Sequence, residues 1–367
     1  MTGSNTYSIF SGNEKRPFLV AGPCSAETYD QVRTAAFALK DCGVHLFRAG
    51  AWKPRTRPGV FQGSGEESLA WLRDIRSEFQ IPVTTEVANA RHAELALQHE
   101  IDVLWIGART TANPFSVQEI ADVLRGTNVP VMVKNPINPD LQLWLGAVER
   151  LEEAGITDMA LVHRGFSFFN NKKYRNSPLW QIPIDMRSER PDLPLICDVS
   201  HISGTRALLR DVAQVAMDLA FDGLMVEVHP DPDHALSDAG QQIKPETFAE
   251  LIASLHIRSQ SIDNAPINAD IEKLRTEIDN LDDRLVEVLA DRMRLVREIG
   301  QMKNAHDIPI LQPERWRMIL LRAVERGEQK ELTAEFIEEL FKAVHQESIH
   351  HQLHVMNPSQ NGLQDEK

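Results

Sequence analysis

Short hydrophobic runs alternate with helical patterns over the first two thirds of the chain. Eight runs are rich in strand-forming residues, at 18–23, 45–50, 82–87, 103–108, 129–135, 159–165, 193–200 and 223–230. Each run is nearly continuous in apolar residues, which is typical of strands buried on both faces. The segments between the runs place apolar residues at helical spacing. Eight strand–helix units of this size predict an α/β TIM (β/α)8 barrel, which usually needs ~250 residues. A doubly wound parallel sheet is the alternative, although the pattern carries no signal for a reversal of strand order.

The pattern changes near residues 256–268, where the apolar periodicity stops and a linker is predicted. From Ile271 to Met302 apolar residues recur every three or four positions without an intervening proline. That spacing predicts one amphipathic helix about 50 Å long. Two shorter helices are predicted at about 313–327 and 333–355. We therefore expect a barrel at 1–257, a linker at 258–268, an all-α three-helix domain at 269–356 and a flexible tail at 357–367.

Composition narrows the classes of function. The 367 residues include 39 Lys and Arg against 53 Asp and Glu, a net charge of −14, which argues against a protein that binds nucleic acid or a membrane surface. The three cysteines, Cys24, Cys42 and Cys197, are sparse and odd in number, which favours a reducing compartment over a disulfide framework. The first residues lack the pattern of a signal peptide, and no run approaches ~18 apolar residues. We expect a cytoplasmic protein.

Reactive side chains cluster at the C-terminal ends of the predicted strands, which converge on one mouth in a barrel. A thiol, an imidazole and two carboxylates there suit a divalent transition metal: Cys24, His201, Glu227 and Asp238. Cations at the same mouth would repel one another unless anions bind: Arg48, Lys53, Arg55, Arg109, Lys134 and Arg164. Any one of these residues alone is more often structural than functional. Together they predict a substrate that carries phosphate and carboxylate groups.

Eight short motifs occur in order, nearly all at strand ends: GPCS (22–25), RAGAWKPRT (48–56), GAR (107–109), VKN (133–135), HRG (163–165), DVSH (198–201), VEVHP (226–230) and LSD (236–238). In this order and spacing, residues 15–257 resemble the 3-deoxy-D-arabino-heptulosonate-7-phosphate (DAHP) synthases, in the type Iβ-like branch. That branch is related to the 3-deoxy-D-manno-octulosonate-8-phosphate (KDO 8-phosphate) synthases, which remain the alternative. KPRT favours DAHP synthase, because the relatives carry an Asn-Arg-Ser type sequence there. With about 17 residues before the first strand, we expect no N-terminal regulatory domain.

The resemblance implies that phosphoenolpyruvate (PEP) condenses with erythrose 4-phosphate and phosphate is lost. It implies a metal held by Cys24, His201, Glu227 and Asp238, with manganese the first expectation and iron, cobalt or zinc as alternatives. PEP would contact Arg48, Lys53, Arg109, Lys134 and Arg164. Erythrose 4-phosphate would contact Arg55 and Thr56, with Arg109 shared, while Lys53 and Glu86 would steer water or move protons. The family's usual Asp-Pro-Ser-His reads DVSH here, which should leave His201 as a ligand.

Charges on the long helix predict a second site. Arg292 and Lys303 are 11 residues apart, so they return to nearly the same face about 16 Å along the helix and could bracket a dicarboxylate. Arg275 lies 17 residues before Arg292, about 25 Å away on a straight helix. The two arginines can share a small ligand only if the site is built between two chains. An oligomerisation bundle without a ligand is the alternative.

Residues 270–355 resemble the AroQ-type chorismate mutases through the pattern LRTEIDNLDDRLVEVLADRM…K…PERW…ES…HHQ. The resemblance implies a homodimer and a chorismate site lined by Arg275 from the partner chain, Arg292, Lys303, Arg315, Ser348 and Gln352. The arginines would clamp the two carboxylates, while Lys303 and Gln352 would donate to the ether oxygen as its bond breaks. Gln312 and Trp316 stand where many relatives carry Asp and Glu, a departure that could weaken the activity or leave the domain for regulation.

Both resemblances together predict a bifunctional enzyme of the shikimate pathway. It would join DAHP formation to the rearrangement of chorismate to prephenate, the first committed step toward phenylalanine and tyrosine. Chorismate or prephenate bound at the helices would then regulate the barrel by feedback. The alternative is a helical domain that only senses or dimerises. The barrels could also pair, which would give a tetramer.

Overall fold

The computed structural model describes residues 8–10, 17–54, 59–168, 173–258 and 265–357. Eight parallel strands close a barrel in sequence order, with the first strand paired to the eighth. They are β1 (Phe18–Gly22), β2 (Leu46–Arg48), β3 (Val83–Val87), β4 (Val103–Ile106), β5 (Val131–Lys134), β6 (Met159–His163), β7 (Leu195–Asp198) and β8 (Gly223–Glu227). All eight predicted strands and the TIM barrel are confirmed, and closure excludes the doubly wound sheet.

Helices follow the strands around the barrel. They are α1 (Tyr29–Leu39), α2 (Glu66–Phe79), α3 (Ala90–Gln98), α4 (Ala108–Thr111), α5 (Pro114–Leu124), α6 (Leu141–Glu153), α7 (Gln181–Glu189), α8 (Val199–Ser203), α9 (Leu209–Asp218) and α10 (Pro245–Ala253). Several begin at a side-chain cap: Thr28, Asn89 and Asp140 each accept a backbone N–H from the residue three positions on. Such caps stabilise a helix start immediately after a loop, typically by ~1 kcal/mol each.

The barrel interior is a second apolar cluster, separate from the layer between strands and helices. Alternate strand residues such as Val20, Trp105 and Met225 belong to it, as does Phe10 from the segment before β1. Ser8 Oγ and the Ile9 N–H both donate to the Asp158 carboxylate, at 2.6 and 3.1 Å. The segment 8–10 therefore closes the end of the barrel opposite to the C-terminal ends of the strands.

Three helices form the second unit: α11 (Ala265–Ala305), α12 (Pro313–Glu328) and α13 (Ala334–Met356). The contacts divide the chain into units 1–260 and 261–367, and α13 packs on both α11 and α12. Helix α11 begins at Ala265, within the predicted linker 258–268, and that linker bound stays a prediction. Side chains 266–270 are all exposed, so this turn carries no apolar periodicity from which a helix could be predicted. The other predicted domain bounds stay predictions.

The first half of α11 is largely exposed to solvent. From residue 266 to 288, every side chain except Ile271 is exposed. Four apolar residues at helical spacing, each 50 to 58% exposed, form a stripe along it: Leu274, Ile278, Leu281 and Leu285. We call these four residues the α11 stripe. An amphipathic helix normally buries such a face, so the stripe is a surface without a partner in the described part of this chain.

Among the described residues, no helix is both long and apolar enough to cross a lipid bilayer. Cys24, Cys42 and Cys197 are free thiols. The cytoplasmic location stays a prediction.

Candidate active sites

Three of the predicted metal ligands meet at the C-terminal mouth of the barrel. One donor atom each from Cys24, Glu227 and Asp238 lies within 4.8 Å of the other two. Cys24 Sγ is 3.3 Å from Asp238 Oδ2, and His201 Nε2 is 3.7 Å from Glu227 Oε1. A thiol, an imidazole and two carboxylates at these distances fit a divalent transition metal.

The loops that follow the strands bring these side chains together. Glu227 is the last residue of β8, and Cys24 comes two residues after β1. The Cys24 N–H donates to Gln242 Oε1 at 3.0 Å, which joins the loop after β1 to the loop after β8. Asp238 in the latter loop has a φ of 49°, a left-handed conformation that aspartate adopts more readily than most residues.

Asp198, the last residue of β7, orients His201. Its Oδ2 lies 2.8 Å from His201 Nδ1 and accepts a hydrogen bond from Lys134 Nζ at 2.7 Å. Burial lowers the pKa of His201, although Asp198 and Glu227 oppose that shift. The ring is therefore neutral at pH 7, with Nε2 facing Glu227. A carboxylate behind a histidine is the usual arrangement that fixes a metal-binding imidazole.

The environment of the Cys24 thiol suits a metal ligand better than it suits a free nucleophile. Burial, and after it the charge of Glu227, raises the pKa of Cys24 to about 12. Lys53 and Arg48 oppose this shift without reversing it, so the surrounding side chains alone leave the thiol protonated at pH 7. A coordinated metal ion deprotonates a thiol outright, and the buried donor set is therefore chemically consistent with a bound divalent cation.

A cavity of about 390 Å³ lies beside the cluster, and four of the five predicted PEP residues line it: Lys53, Arg109, Lys134 and Arg164. Arg48, the fifth, is completely buried, and its Nη2 donates to Glu227 Oε1 at 3.1 Å. Arg48 Nε and Nη1 have no hydrogen-bond partner within the described part of the chain. Buried donors are normally paired, so these two N–H groups indicate a missing acceptor such as an anionic ligand.

Trp105, in the barrel interior, lies next to three charged residues of this site. Its ring faces Arg48 and Lys134 at 5.0 and 5.5 Å, and its Nε1 donates to Glu86 Oε2 at 3.0 Å. A Cβ at Gly107 would lie 2.1 Å from Glu86 Oε1, so only glycine leaves room for the carboxylate there. Glu86 is thus held at the cavity wall by an indole N–H.

Sequence reasoning missed several residues of this site. Arg164 Nη1 donates to Asn176 Oδ1 at 2.7 Å, and Arg175 also lines the cavity. Burial, together with Arg175 and Arg109, lowers the pKa of Arg164 to about 10 despite Asp198. Only the position of Arg175 and Asn176 after the sixth strand could have indicated them. The predicted erythrose 4-phosphate residues Arg55 and Thr56 lie outside the described residues.

The helical unit has a cavity of its own, of about 330 Å³. Five of the predicted chorismate residues line it: Arg292, Lys303, Arg315, Ser348 and Gln352. Arg292 Nη1 hydrogen-bonds to Ser348 Oγ, and Lys303 Nζ donates to the Ile310 carbonyl at 2.7 Å. Burial lowers the pKa of both Arg292 and Lys303. Gln352 is buried, and its Oε1 has no partner among the described residues.

Two features of this cavity bear on the predicted chorismate site. Among the described residues that line it, none carries a carboxylate, and Gln312 and Trp316 form part of its wall. Trp316 stacks on His345, with ring centroids 4.1 Å apart. Arg275 does not line the cavity of its own chain but is exposed and paired with Glu272. The arrangement presents cations and apolar walls to a ligand.

Comparison with known proteins agrees with this picture of the barrel. Residues 2–261 match the family described as the DAHP synthetase I family, which covers well over half of the chain. The chain belongs to the DAHP synthetase I family. A phospho-2-dehydro-3-deoxyheptonate aldolase of Thermotoga maritima is 31% identical over 237 residues, covering 65% of this chain and 68% of that protein. A crystal structure of the Thermotoga maritima DAHP synthase is similar with a TM-score of 0.59 at 32% identity, over 65% of this chain and 67% of that one.

Another relative bears on the alternative that the barrel is a KDO 8-phosphate synthase. A 2-dehydro-3-deoxyphosphooctonate aldolase of Desulfotalea psychrophila is 28% identical over 275 residues, covering 68% of this chain and 92% of that protein. The identity is lower than for the heptonate enzyme, so the KDO 8-phosphate alternative is the weaker one.

The second unit has its own family match. Residues 274–353 match the family described as chorismate mutase type II. The chain therefore joins a DAHP synthase domain to a chorismate mutase domain, and the predicted bifunctional shikimate-pathway enzyme is confirmed at the level of its two domains.

Proposed function

We propose that the barrel condenses PEP with erythrose 4-phosphate in a metal-dependent reaction, and that the helical domain converts chorismate to prephenate and regulates the barrel. One observation carries the barrel proposal. Cys24, Glu227 and Asp238 cluster beside a cavity lined by cations, and His201 Nε2 lies 3.7 Å from Glu227 Oε1. Two N–H groups of the buried Arg48 have no hydrogen-bond partner among the described residues.

The metal would be held by Cys24, His201, Glu227 and Asp238. A divalent ion bound there would act as a Lewis acid that polarises the aldehyde of erythrose 4-phosphate. These ligands accept manganese, iron, cobalt or zinc, and manganese is the first expectation. Burial would lower the pKa of Lys53, but Cys24 and Glu227 outweigh it and raise that pKa. Lys53 therefore stays an ammonium group, which can give a proton to the oxygen formed from the aldehyde.

The remaining cations would bind the anionic groups of the substrates against the overall charge of −14. The carboxylate and phosphate of PEP would be held by Arg48, Lys53, Arg109, Lys134 and Arg164. Erythrose 4-phosphate would be held by Arg55 and Thr56, with Arg109 shared between the two substrates. C3 of PEP then attacks the aldehyde carbon, and positive charge develops at C2. Glu86, held by Trp105, would orient the water that adds to C2 before the C–O bond to phosphate breaks.

The test is the release of phosphate from PEP plus erythrose 4-phosphate by the full-length chain, before and after treatment with a chelator. We expect the activity to be lost on chelation and restored by manganese. Full activity in the metal-free protein would overturn the metal site. Turnover with a five-carbon aldose phosphate instead, which would give an eight-carbon product, would favour the KDO 8-phosphate alternative.

For the helical domain, the cavity of Arg292, Lys303 and Arg315 supports a dianionic ligand such as chorismate. The arginines would clamp its two carboxylates and hold the reacting carbons close together. Lys303 and the buried Gln352 would donate to the ether oxygen, where negative charge grows as the C–O bond breaks. Chorismate loss on the purified chain tests this. If prephenate binds but chorismate is not converted, the domain is a sensor instead.

The α11 stripe supports a homodimer. A second copy of the chain that covers the stripe could also bring its Arg275 to the cavity around Arg292, which Arg275 cannot reach within its own helix. Mixing Arg275→Ala chains with Arg292→Ala chains tests this, because each mixed dimer would keep one intact site. Random mixing then restores about a quarter of the wild-type mutase activity. No recovery on mixing would contradict a shared site.

Feedback regulation is supported by the presence of both domains in one chain. Prephenate or chorismate bound near Arg292 would change the synthase rate, because linked sites affect each other's affinities. We expect saturating prephenate to inhibit the synthase and Arg292→Ala to remove that inhibition. A synthase rate unaffected by prephenate would contradict feedback and leave a dimerisation role for the helices.

A further inference from the structure

Two polar side chains beside the proposed metal ligands have no assigned role. Arg175 lies in the loop after β6 and lines the cavity, and Gln241 lies in the loop after β8 and is 1% exposed. Neither belongs to the set of proposed ligands. Both, however, contact carboxylates of that set.

Their contacts connect the carboxylate of Asp238 with that of Glu227. Arg175 Nη1 is 3.0 Å from Asp238 Oδ1 and donates to Gln241 Oε1 at 2.6 Å. Gln241 Nε2 in turn donates to Glu227 Oε2, also at 2.6 Å. Because a guanidinium group only donates, Gln241 must turn its oxygen toward Arg175 and its NH₂ group toward Glu227.

These hydrogen bonds occupy one oxygen of each carboxylate and leave its second oxygen available to a metal ion. The second oxygen of Asp238, Oδ2, is the one that lies 3.3 Å from Cys24 Sγ. The second oxygen of Glu227, Oε1, is the one that lies 3.7 Å from His201 Nε2. Oε1 also accepts from Arg48 and keeps a further lone pair. The oxygens left available are therefore those that face the other two ligands.

Backbone contacts on both sides hold Arg175 and Gln241 in place. Its N–H donates to the Ile202 carbonyl at 3.1 Å, and a Cβ at Gly204 would lie 2.3 Å from Arg175 Cβ. Gly204 has a φ of 68°, so glycine meets both the steric and the conformational requirement. On the other side, the Gln241 N–H donates to the Asp238 carbonyl at 3.1 Å.

We propose that Arg175 and Gln241 are positioning residues that hold Glu227 and Asp238 as single-oxygen ligands of a divalent transition metal. The inference rests on the proposed metal-dependent function and adds the residues that set the geometry of its site. Without the Gln241 donor, the Glu227 carboxylate is free to rotate and to present both oxygens or neither. Loss of such a partner typically lowers metal affinity 10- to 100-fold.

The experiment adds Co²⁺ to the metal-stripped, full-length chain. A cobalt–thiolate absorption band reports ligation by Cys24, and competition with a chelator gives the affinity. We expect Gln241→Leu, which is close in volume but has no donor, to lower the Co²⁺ affinity about 10- to 100-fold. The synthase kcat should fall at a fixed Co²⁺ concentration and recover with excess metal, while the KM for PEP changes little.

A control is available at Arg206, which lies between α8 and α9 and contacts the same loop after β8 from outside it. Arg206 donates to the carbonyls of Gln242 and Ala239 at 2.6 and 2.9 Å and does not contact any of the four proposed ligands. Arg206→Lys should lower the melting temperature of the metal-free protein without changing its Co²⁺ affinity. If Gln241→Leu and Arg206→Lys behave alike, Gln241 is merely structural and the proposal is wrong.

A second variant separates the two ends of the amide. Gln241→Glu can still accept from Arg175 but cannot donate to Glu227 when ionised, so it should lose as much affinity as Gln241→Leu. Wild-type affinity in Gln241→Glu or in Gln241→Leu would overturn the positioning role. Absence of the thiolate band in the wild-type protein would instead overturn the proposed metal site itself.

Discussion

The two cavities of this chain differ in how their charges are balanced. In the barrel, buried cations are already paired with carboxylates, as in Arg48–Glu227 and Lys134–Asp198. The cavity of the helical domain collects Arg292, Lys303 and Arg315 without a lining carboxylate among the described residues. The barrel site is thus organised before its ligands bind, whereas the charges of the helical cavity are neutralised only when an anion enters.

The cavities also differ in how much of each site one chain supplies. The barrel brings its proposed metal ligands and PEP residues together within a single unit. In the helical domain, the α11 stripe and Arg275 are left exposed. Barrel chemistry should therefore be independent of chain association, while the mutase site should depend on it. The following predictions test this contrast.

The largest effect should come from the barrel alone. Cys24→Ser removes the thiolate ligand, so we expect synthase activity to fall about 10³-fold while mutase activity is unchanged. Phosphate release and chorismate loss, measured on the same preparation, check this. Cys42→Ser is the control, since that half-buried thiol donates only to the Ala38 carbonyl. Synthase activity that survives Cys24→Ser would remove Cys24 from the ligand set.

Breaking association should affect only the helical domain. Leu281→Asp places a charge in the middle of the α11 stripe, and we expect the dimer to dissociate and mutase activity to fall about 10²-fold. Synthase activity should stay within about twofold. Light scattering measures the association of the chains, and assays of chorismate loss and phosphate release measure the two activities. Phe115→Asp is the control, because Phe115 is 83% exposed on α5 of the barrel. A mutant that remains associated and active would mean that the stripe does not form the interface.

Acid should destabilise the barrel through one buried imidazole. His163 is packed among Phe166, Trp180 and Phe221, and burial lowers its pKa to about 3. The unfolded chain takes up a proton near pH 6.5 and the folded barrel does not until about pH 3. Stability therefore falls with decreasing pH across this window, by up to about 1.4 kcal/mol per pH unit. Denaturant unfolding of the barrel at pH 7, 6 and 5 should show a shallower pH dependence in His163→Phe; an identical slope would contradict the prediction.

The smallest effect should come from the wall of the helical cavity. Trp316→Leu removes the ring stacked on His345, which should cost about 1 kcal/mol. We expect kcat/KM for chorismate to fall less than about tenfold, with no change in synthase rate. Leu321→Ala, at an exposed position of the same helix, serves as the control. A loss of several hundredfold would instead give Trp316 a direct part in the rearrangement.

The sequence predicted the barrel well because each strand is buried on both faces and leaves a continuous apolar run. The motif DVSH likewise placed His201 next to Asp198, since neighbours in sequence at a strand end remain neighbours in space. Arg175 and Gln241 could not be found in this way. They are 66 residues apart, and their role arises only where the loops after β6 and β8 meet.

The helical domain was harder to delimit for a related reason. Its predicted linker extended to residue 268, because residues 266–270, which are exposed in the structure, show no apolar periodicity that marks a helix start. The position of Arg275 relative to Arg292 predicted a site between chains. A single chain supplies only one side of that surface, so the shared site stays a prediction.

The segment 8–10 makes the far end of the barrel matter for its chemistry. Phe10 shares the interior cluster with Trp105, and Trp105 faces Arg48 at 5.0 Å. Removing the residues before β1 would let water reach the interior cluster of Phe10 and Trp105. The local dielectric constant near the Arg48–Glu227 pair would then rise. The attraction between these two groups would weaken although no residue in contact with them had changed. Protein engineering that shortens or permutes this barrel therefore has to treat the end closed by segment 8–10 as part of the active site.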